Sequence, residues 1–466
     1  MRCLHKLAAG AAAAVLLCGC ASLSGDGGFS HVARISQERL GSAAGEMRLL
    51  RNDDDARALQ ALIARKLEST LNVDDAVQIA LLNNRSLQAS YWSLGLAEAD
   101  LVQAGRLQNP VLSFKRTHEG GEVGIERTLT FNLLNVLTAP LASRLEARRY
   151  ESARLLVAEE ALKVAADTRR AWVDAVAAVQ SADYAKQIQD SAEAGAELAE
   201  RMRKAGNWSE LDLARERAYR AQAKADAARA AIAAVAAREK LARLLGLSGD
   251  QAARQLAERL PDHLPEPPQE VRTLADVEQT ALRERLDIQA AMLDTQHTAD
   301  ALGLTRGTRF INVLDLGAVR NSSGGSGGRS APGYELTLEV PLFDWGDARV
   351  ARAEASYMQS VNRLAAVAVN ARSEAREFYA AYRATFDLAR HYRDDVIPVR
   401  KQISDQTLLR YNGMLMSVFE LLADAREQAA AVNGYIGARK DFWLAQADLE
   451  AALGGRLPAV TNGVQP

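Results

Sequence analysis

A chain of 466 residues with 57 basic and 59 acidic side chains has a formal charge of −2. It lacks the basic excess of proteins that grip phosphate backbones, so nucleic acid is set aside as a partner. Aromatic residues make up only 5% and alanine is abundant, which favours close-packed helices; at this length two or three domains are expected, since one core rarely exceeds about 250 residues.

Arg2 and Lys6 precede LAAGAAAAVLLCG, an apolar run of signal-peptide length, too short to cross a bilayer comfortably. Residues 1–19 are read as a signal peptide. The run ends in Leu17-Cys18-Gly19-Cys20, which resembles a bacterial lipobox. That resemblance makes Cys20 the site of lipidation, by acyl chains such as palmitate; the competing reading is an ordinary cleavable signal. The same rule reads an aspartate after the cysteine as inner-membrane retention, so Ala21 points to the outer membrane. All three cysteines, Cys3, Cys18 and Cys20, lie in this segment, which excludes disulfides and cysteine–metal sites from the mature chain. No run of eighteen apolar residues follows Cys20, so entry into a membrane is left to strands. Residues 20–70 form a lipid-anchored N-terminal segment, and its acidic cluster Asp53-Asp54-Asp55 lacks the ligand spacing of a calcium loop.

From residue 71 the chain repeats itself. DDAVQIALLNNRSLQA (74–89) recurs as ADVEQTALRERLDIQA (275–290), SELDLA (209–214) as SVFELL (417–422), and Leu245-Gly246 as Leu453-Gly454. Residues 71–259 and 271–455 are two repeats, the proline-rich LPDHLPEPPQE (260–270) is their linker, and 456–466 is a tail. The first repeat opens with an amphipathic helix expected over Val73–Gln108, stopped by Pro110. Strand alternation follows. Val123, Ile125, Leu129 and Phe131 share one face against Glu126, Thr128 and Thr130, and Arg127 interrupts the apolar side. The second repeat has Tyr334, Leu336, Leu338 and Val340 against Glu335, Thr337 and Glu339. Partner strands are expected at 111–118 and 309–319, with residues 320–333 a flexible, water-facing loop.

Each hairpin precedes a long helix. Residues 141–205 hold no proline and one glycine, Gly195, a span of roughly 100 Å. The second, 347–412, is interrupted by Pro398, where a kink or junction is expected. Each turns at a glycine and returns over 211–245 and 419–453, alanine-rich arms suited to coiled-coil packing. Four strands cannot close a barrel, and an open edge in lipid leaves backbone groups unpaired. Three copies supply twelve strands, enough for a water-filled bore.

The order helix, hairpin, long helix, turn and return helix, run twice, resembles the TolC-type outer-membrane efflux proteins, lipoprotein branch. AVQIALLNNRSLQAS, VPLFDWGDARVARAEA (340–355) and VIPVRKQISDQTLLRYNG (396–413) carry the resemblance. The first hairpin departs from it, offering FNLLNVLTAP in place of PLFDWG. The resemblance implies a mainly α fold with a transmembrane β-barrel: a homotrimer whose twelve-stranded barrel lies in outer-membrane lipid and continues as an α-helical tunnel through the periplasm. It implies an exit duct docked to a periplasmic adaptor and an inner-membrane pump, exporting small molecules or metal ions, with no cofactor. The exit duct of a one-step protein secretion system has the same fold and stays open as an alternative, as does a periplasmic coiled-coil lipoprotein without a pore.

On this reading Gly206 and Gly413 sit at hairpin tips, where glycine accepts the positive φ of a chain reversal. Trp208, Met414, Leu415 and Met416 are adaptor-docking contacts or pack within the tip; the two thioethers make a weak copper(I) site at best. Asp212 and Glu420 become rings of three carboxylates favouring cations, or are helix-start acids complementing the dipole. The resemblance gives Arg410 and Tyr411 a part in closing the mouth. Phe343 and Trp345 mark the membrane interface. Catalytic signals fail: Gly324–Gly328 matches G-x-S-x-G without the strand-to-helix turn that gives it meaning. The six histidines, His118 and His263 among them, show no metal-binding spacing. No enzyme is expected.

Overall fold

The computed structural model describes residues 22–119, 122–249, 256–324 and 330–457; the signal peptide, Cys20, Gly325–Gly328 of the G-x-S-x-G match and most of the tail lie outside them. Contacts divide the chain into two compact units, each drawing on both sequence halves. One comprises residues up to Val32, Tyr91–Val157 and Leu286–Val369; the other comprises Ala33–Ser90, Ala158–Arg285 and the chain from Asn370 onward.

Helices α1 (Phe29–Leu40) and α2 (Asp53–Lys66) occupy the N-terminal segment. The acidic cluster forms the first turn of α2, where Asn52 caps the Asp55 amide, so these carboxylates complement a helix dipole. The expected helix over Val73–Gln108 is two helices, α3 (Val73–Asn83) and α4 (Arg85–Ala104). They break at Asn84, whose extended backbone lets its side chain accept the Leu87 amide and donate to the Leu244 carbonyl. An asparagine that bonds backbone on both sides favours a break over helix continuation.

In the first unit four antiparallel strands form one sheet in the order β1-β2-β3-β4: β1 Val111–Glu119, β2 Glu122–Asn132, β3 Leu314–Gly324 and β4 Ser330–Leu338. β3 lies five residues beyond its expected position and consumes the first part of the expected loop. Backbone pairing with β2, from Asp315↔Asn132 to Gly324↔Val123, overrides the poor strand propensity of NSSG. β4 begins earlier than expected and includes Pro332, which an edge strand tolerates because half its N–H groups have no ladder partner.

Helix α5 (Leu133–Lys204) starts directly from β2 and carries Pro140 near its beginning; FNLLNVLTAP is thus strand end and helix start. Its return arm α6 (Glu210–Leu244) lies within a residue of the expected span. In the second half α7 (Val277–Glu284) and α8 (Leu286–Thr308) precede the hairpin. After it come α9 (Asp347–His391), a π-turn over Tyr392–Val396, α10 (Ile397–Asn412) and α11 (Val418–Ala452). The junction expected at Pro398 is this π-turn, which puts the proline in the first turn of α10, where its missing N–H costs least.

The second unit has a core of Tyr382, Phe386 and Phe442 with Ala389 and Ala445, the rings of Tyr382 and Phe442 stacked at 5.7 Å. Leu71, Ile79, Leu81, Leu241 and Leu245 are fully buried in the same unit. The proline-rich linker lies against α11, where the Trp443 indole N–H donates to the Pro265 carbonyl at 2.9 Å. Two glycines recognised as repeat anchors now have a cause. Gly246 and Gly454 follow α6 and α11 at φ +66° and +77°, and a Cβ on either would meet the carbonyl oxygen of Asn83 at 2.4 Å or Glu284 at 2.9 Å. Gly246→Ala is therefore expected to lose about 3 kcal/mol, combining a left-handed backbone with a backbone overlap, read as a fall in thermal midpoint.

Candidate functional site

The sheet has two unlike faces. By register, Phe131, Leu316 and Leu336 form one row, Leu112, Leu129, Ala318 and Tyr334 the next, and Phe114, Arg127, Arg320 and Pro332 the third. The other face carries Thr128, Thr130, Lys115, Glu126, Asp315, Glu335 and Thr337. Exposure runs opposite to that of a water-soluble sheet. On β2, Leu129 and Phe131 are exposed while Thr128, just before Leu129, is 4% exposed; β4 is open on both faces, with Tyr334 85% exposed. On the two central strands the apolar face is thus the more open one, which suits a sheet whose outer solvent is hydrocarbon. The outer edges of β1 and β4 have no strand partner among the described residues.

Beyond β4 the apolar run continues. Phe343 is 98% exposed, and Trp345 packs edge-on against Phe310 with centroids 6.2 Å apart, beside the Arg309 guanidinium 4.1 Å over the Phe310 ring. Asp344 accepts the Gly346 amide at 2.8 Å, and Gly346 has φ +77° with the Arg309 carbonyl where a Cβ would stand. The LFDWG motif is thus a tight turn that launches α9 and leaves two aromatic rings at its surface.

The helical tips belong to the second unit. After α5, the Asn207 amide reaches back to the Met202 carbonyl and the Gly206 amide to Arg203, with Gly206 at φ +80°. This is a Schellman turn with glycine at the left-handed position. After α10 the same pattern recurs one residue later than expected: the Leu415 amide bonds the Arg410 carbonyl and the Met414 amide that of Tyr411. Gly413 ends the helix at φ −81°, and Met414 takes the left-handed conformation at φ +57°. The role expected of Gly413 is therefore filled by Met414, because the turn is measured from the helix start at Ser417, which matches Ser209, and not from the glycine. At this left-handed position the Met414 side chain is 95% exposed, with Leu415 at 81%; Met416 and Trp208 are half-buried.

Ser209 and Ser417 begin the return arms. Ser417 and Glu420 form a capping box: the hydroxyl accepts the Glu420 amide, and the carboxylate accepts the Ser417 amide at 2.9 Å and its hydroxyl at 2.8 Å. The Ser417 amide, then the hydroxyl, hold the Glu420 carboxyl below its usual range. Ser209 caps the Asp212 amide at 3.1 Å, and the Asp212 carboxylate accepts the Ser209 hydroxyl at 2.6 Å. Both carboxylates thus serve as helix-start acids. Arg410 and Tyr411 contribute their carbonyls to the turn. Glycine at 414 is expected to stabilise the tip by up to about 1 kcal/mol by releasing the strained φ. Gly413→Ala is expected to be neutral or mildly stabilising, whereas Gly206→Ala costs about 1 kcal/mol; thermal unfolding of the three variants checks the order.

Sequence reading did not find the pair that joins the two hairpins above these tips. Arg426 on α11 donates to both carboxylate oxygens of Glu216 on α6, at 2.5 and 2.6 Å, with its guanidinium 4.2 Å over the Tyr219 ring. Glu216 is 2% exposed. Its only sequence signal is a carboxylate within an otherwise small-residue helix face.

Among the described residues no group of histidine, cysteine and carboxylate side chains is placed to hold a metal, and no helix is long and apolar enough to cross a membrane. Paired helical arms, two tips and a sheet with an outward apolar face define a fold class, that of TolC-like outer-membrane channels. A membrane protein from Pseudomonas aeruginosa superposes with a TM-score of 0.69 at 20% identity, covering 83% of this chain and 94% of that one. The Campylobacter jejuni CmeC outer membrane channel gives 0.69 at 16%, covering 84% and 87%, and CusC, known for transmembrane channel formation, 0.66 at 19%, covering 82% and 92%. Neither models of protein families nor curated protein sequences match the chain.

Proposed function

We propose that the chain is the outer-membrane exit duct of a tripartite efflux system, anchored by lipid at Cys20 and not an enzyme. Three copies pair β1 of one with β4 of the next, closing twelve strands around a water-filled bore. The two structural repeats supply the paired helical arms of a periplasmic tunnel. The observation that carries the reading is the sheet itself, with aliphatic and aromatic rows exposed on one face, hydroxyls and carboxylates on the other, and two unpaired edges. Met414 and Leu415 are the contacts offered to a periplasmic adaptor, which in turn joins an inner-membrane pump, and Asp212 and Glu420 recur three times around the mouth. Small molecules or metal ions are the cargo.

Reconstitution tests this. Purified protein added to a planar bilayer is expected to give stepwise ohmic currents, carried mainly by cations because Glu126, Asp315 and Glu335 outnumber Lys115 on the polar face. A detergent-independent monomer that produces no current would overturn the proposal.

A further inference from the structure

The third row of the outward sheet face breaks the apolar pattern with two cations side by side. Arg127 on β2 and Arg320 on β3 are direct register partners, and both are exposed. Arg116 stands one row further toward the hairpin ends, in register with Ile125 and Ser322, and His118 one row beyond, opposite Val123. Like charges directly opposite on neighbouring strands repel. Among the described residues of the sheet no carboxylate shares this face, because Glu126, Asp315 and Glu335 all fall on the other side of the pleat. Within the chain Arg127 lies over the Phe114 ring, 5.9 Å from its centroid, and Arg320 donates through Nε to the Ser330 hydroxyl at 2.8 Å. Neither contact neutralises a charge.

Below this row, away from the hairpin ends, the same face is continuously apolar through Leu112, Leu129 and Tyr334 to Phe131, Leu316 and Leu336. A guanidinium is costly at mid-bilayer and nearly free at the interface, so the arginine row marks the level of the lipid headgroups. Guanidinium forks match phosphate oxygens in pairs, and two of them facing one another suit an anion of more than one charge. We infer that Arg127, Arg320 and Arg116 form a docking site on the outer face of the sheet for a phosphorylated glycolipid of the lipid A class. Its phosphate bridges Arg127 and Arg320, and its acyl chains lie over Leu129, Tyr334 and Leu336. The site rests on the proposed placement of this sheet in the outer membrane. It accounts for a row of like charges that no carboxylate among the described residues compensates.

Native mass spectrometry of the detergent-solubilised assembly, titrated with lipid A, phosphatidylethanolamine or inorganic phosphate, tests it. Lipid A is expected to bind at least tenfold more tightly than phosphatidylethanolamine, with up to one retained per chain, and the Arg127→Gln/Arg320→Gln variant is expected to lose that preference. Phosphate alone is expected to stay unbound at concentrations that saturate with lipid A; capture of free phosphate at those concentrations would show an anion site that ignores the acyl chains and would overturn the lipid assignment. Equal binding of both lipids to the unaltered protein, or unchanged lipid A binding by the variant, also overturns it. Planar-bilayer currents from the same preparations separate the two levels: a conducting assembly without lipid preference sinks the lipid site alone. A protein that never conducts sinks the channel reading and the lipid site with it.

Discussion

Leu316→Arg is expected to abolish assembly in the outer membrane, while Thr337→Arg is tolerated. The two positions lie on neighbouring strands but on opposite faces of the pleat, since Leu316 pairs with Leu336 and Thr337 with Asp315. On the proposed placement, an arginine in this apolar row meets hydrocarbon at a cost of about 2–4 kcal/mol in each copy, and the proposed ring of three would incur it three times. The same side chain at 337 meets a carboxylate and water. Membrane fractionation of the two variants reads the difference directly. Comparable insertion of both would mean that the exposed rows of Phe131, Leu316 and Leu336 face something other than lipid.

The second large effect lies between the helical return arms. Arg426→Met leaves the Glu216 carboxylate buried without the guanidinium nitrogen, Nη2, that serves both its oxygens. Breaking a buried pair from one side costs about 3–5 kcal/mol, whereas replacing both partners by apolar residues of similar size is often neutral. Arg426→Met is therefore expected to lower the thermal midpoint steeply, and the double change Glu216→Leu/Arg426→Met to restore most of the loss. A double variant as unstable as the single one would show that the arginine acts through packing on Tyr219 and not through the charge. Because Glu216 and Arg426 lie on α6 and α11, the pair joins the two helical hairpins, and its loss is expected to loosen their packing near the tips.

Much of this architecture was legible from local chemistry. The return arms begin within a residue of their expected starts because Ser-x-x-Asp at 209–212 and Ser-x-x-Glu at 417–420 are caps, and a cap depends only on the residues that form it. Four strands were foreseen for the same reason, since alternation is a local pattern. Their limits were not. β3 extends into serine and glycine because β2 supplies backbone partners from a remote part of the chain, and β4 takes in serine and proline by pairing with the lengthened β3; no window of sequence contains the first of these partners. The Asn84 break is similarly remote, fixed by the carbonyl of Leu244.

The tip shows a subtler error. Matching Gly413 to Gly206 by residue type misplaces the turn by one position, and counting back from the two serine caps sets Met414 opposite Gly206. The structure thereby turns a nominal glycine turn into a left-handed methionine whose side chain is open. The Arg426–Glu216 pair was illegible for a simpler reason: its partners are 210 residues apart, and each alone looks like one more charge on a helix.

The joining of β1 to β4 between copies is tested most directly by cysteine pairing. One cysteine placed at Ser113 on β1 is combined in turn with each position of β4, and intact cells are oxidised before denaturing electrophoresis. Disulfide-linked dimers and trimers at alternate β4 positions, with nothing larger, are the predicted outcome. If every combination along the strand runs as a single chain, these edges do not meet and no ring of strands is closed by sister copies.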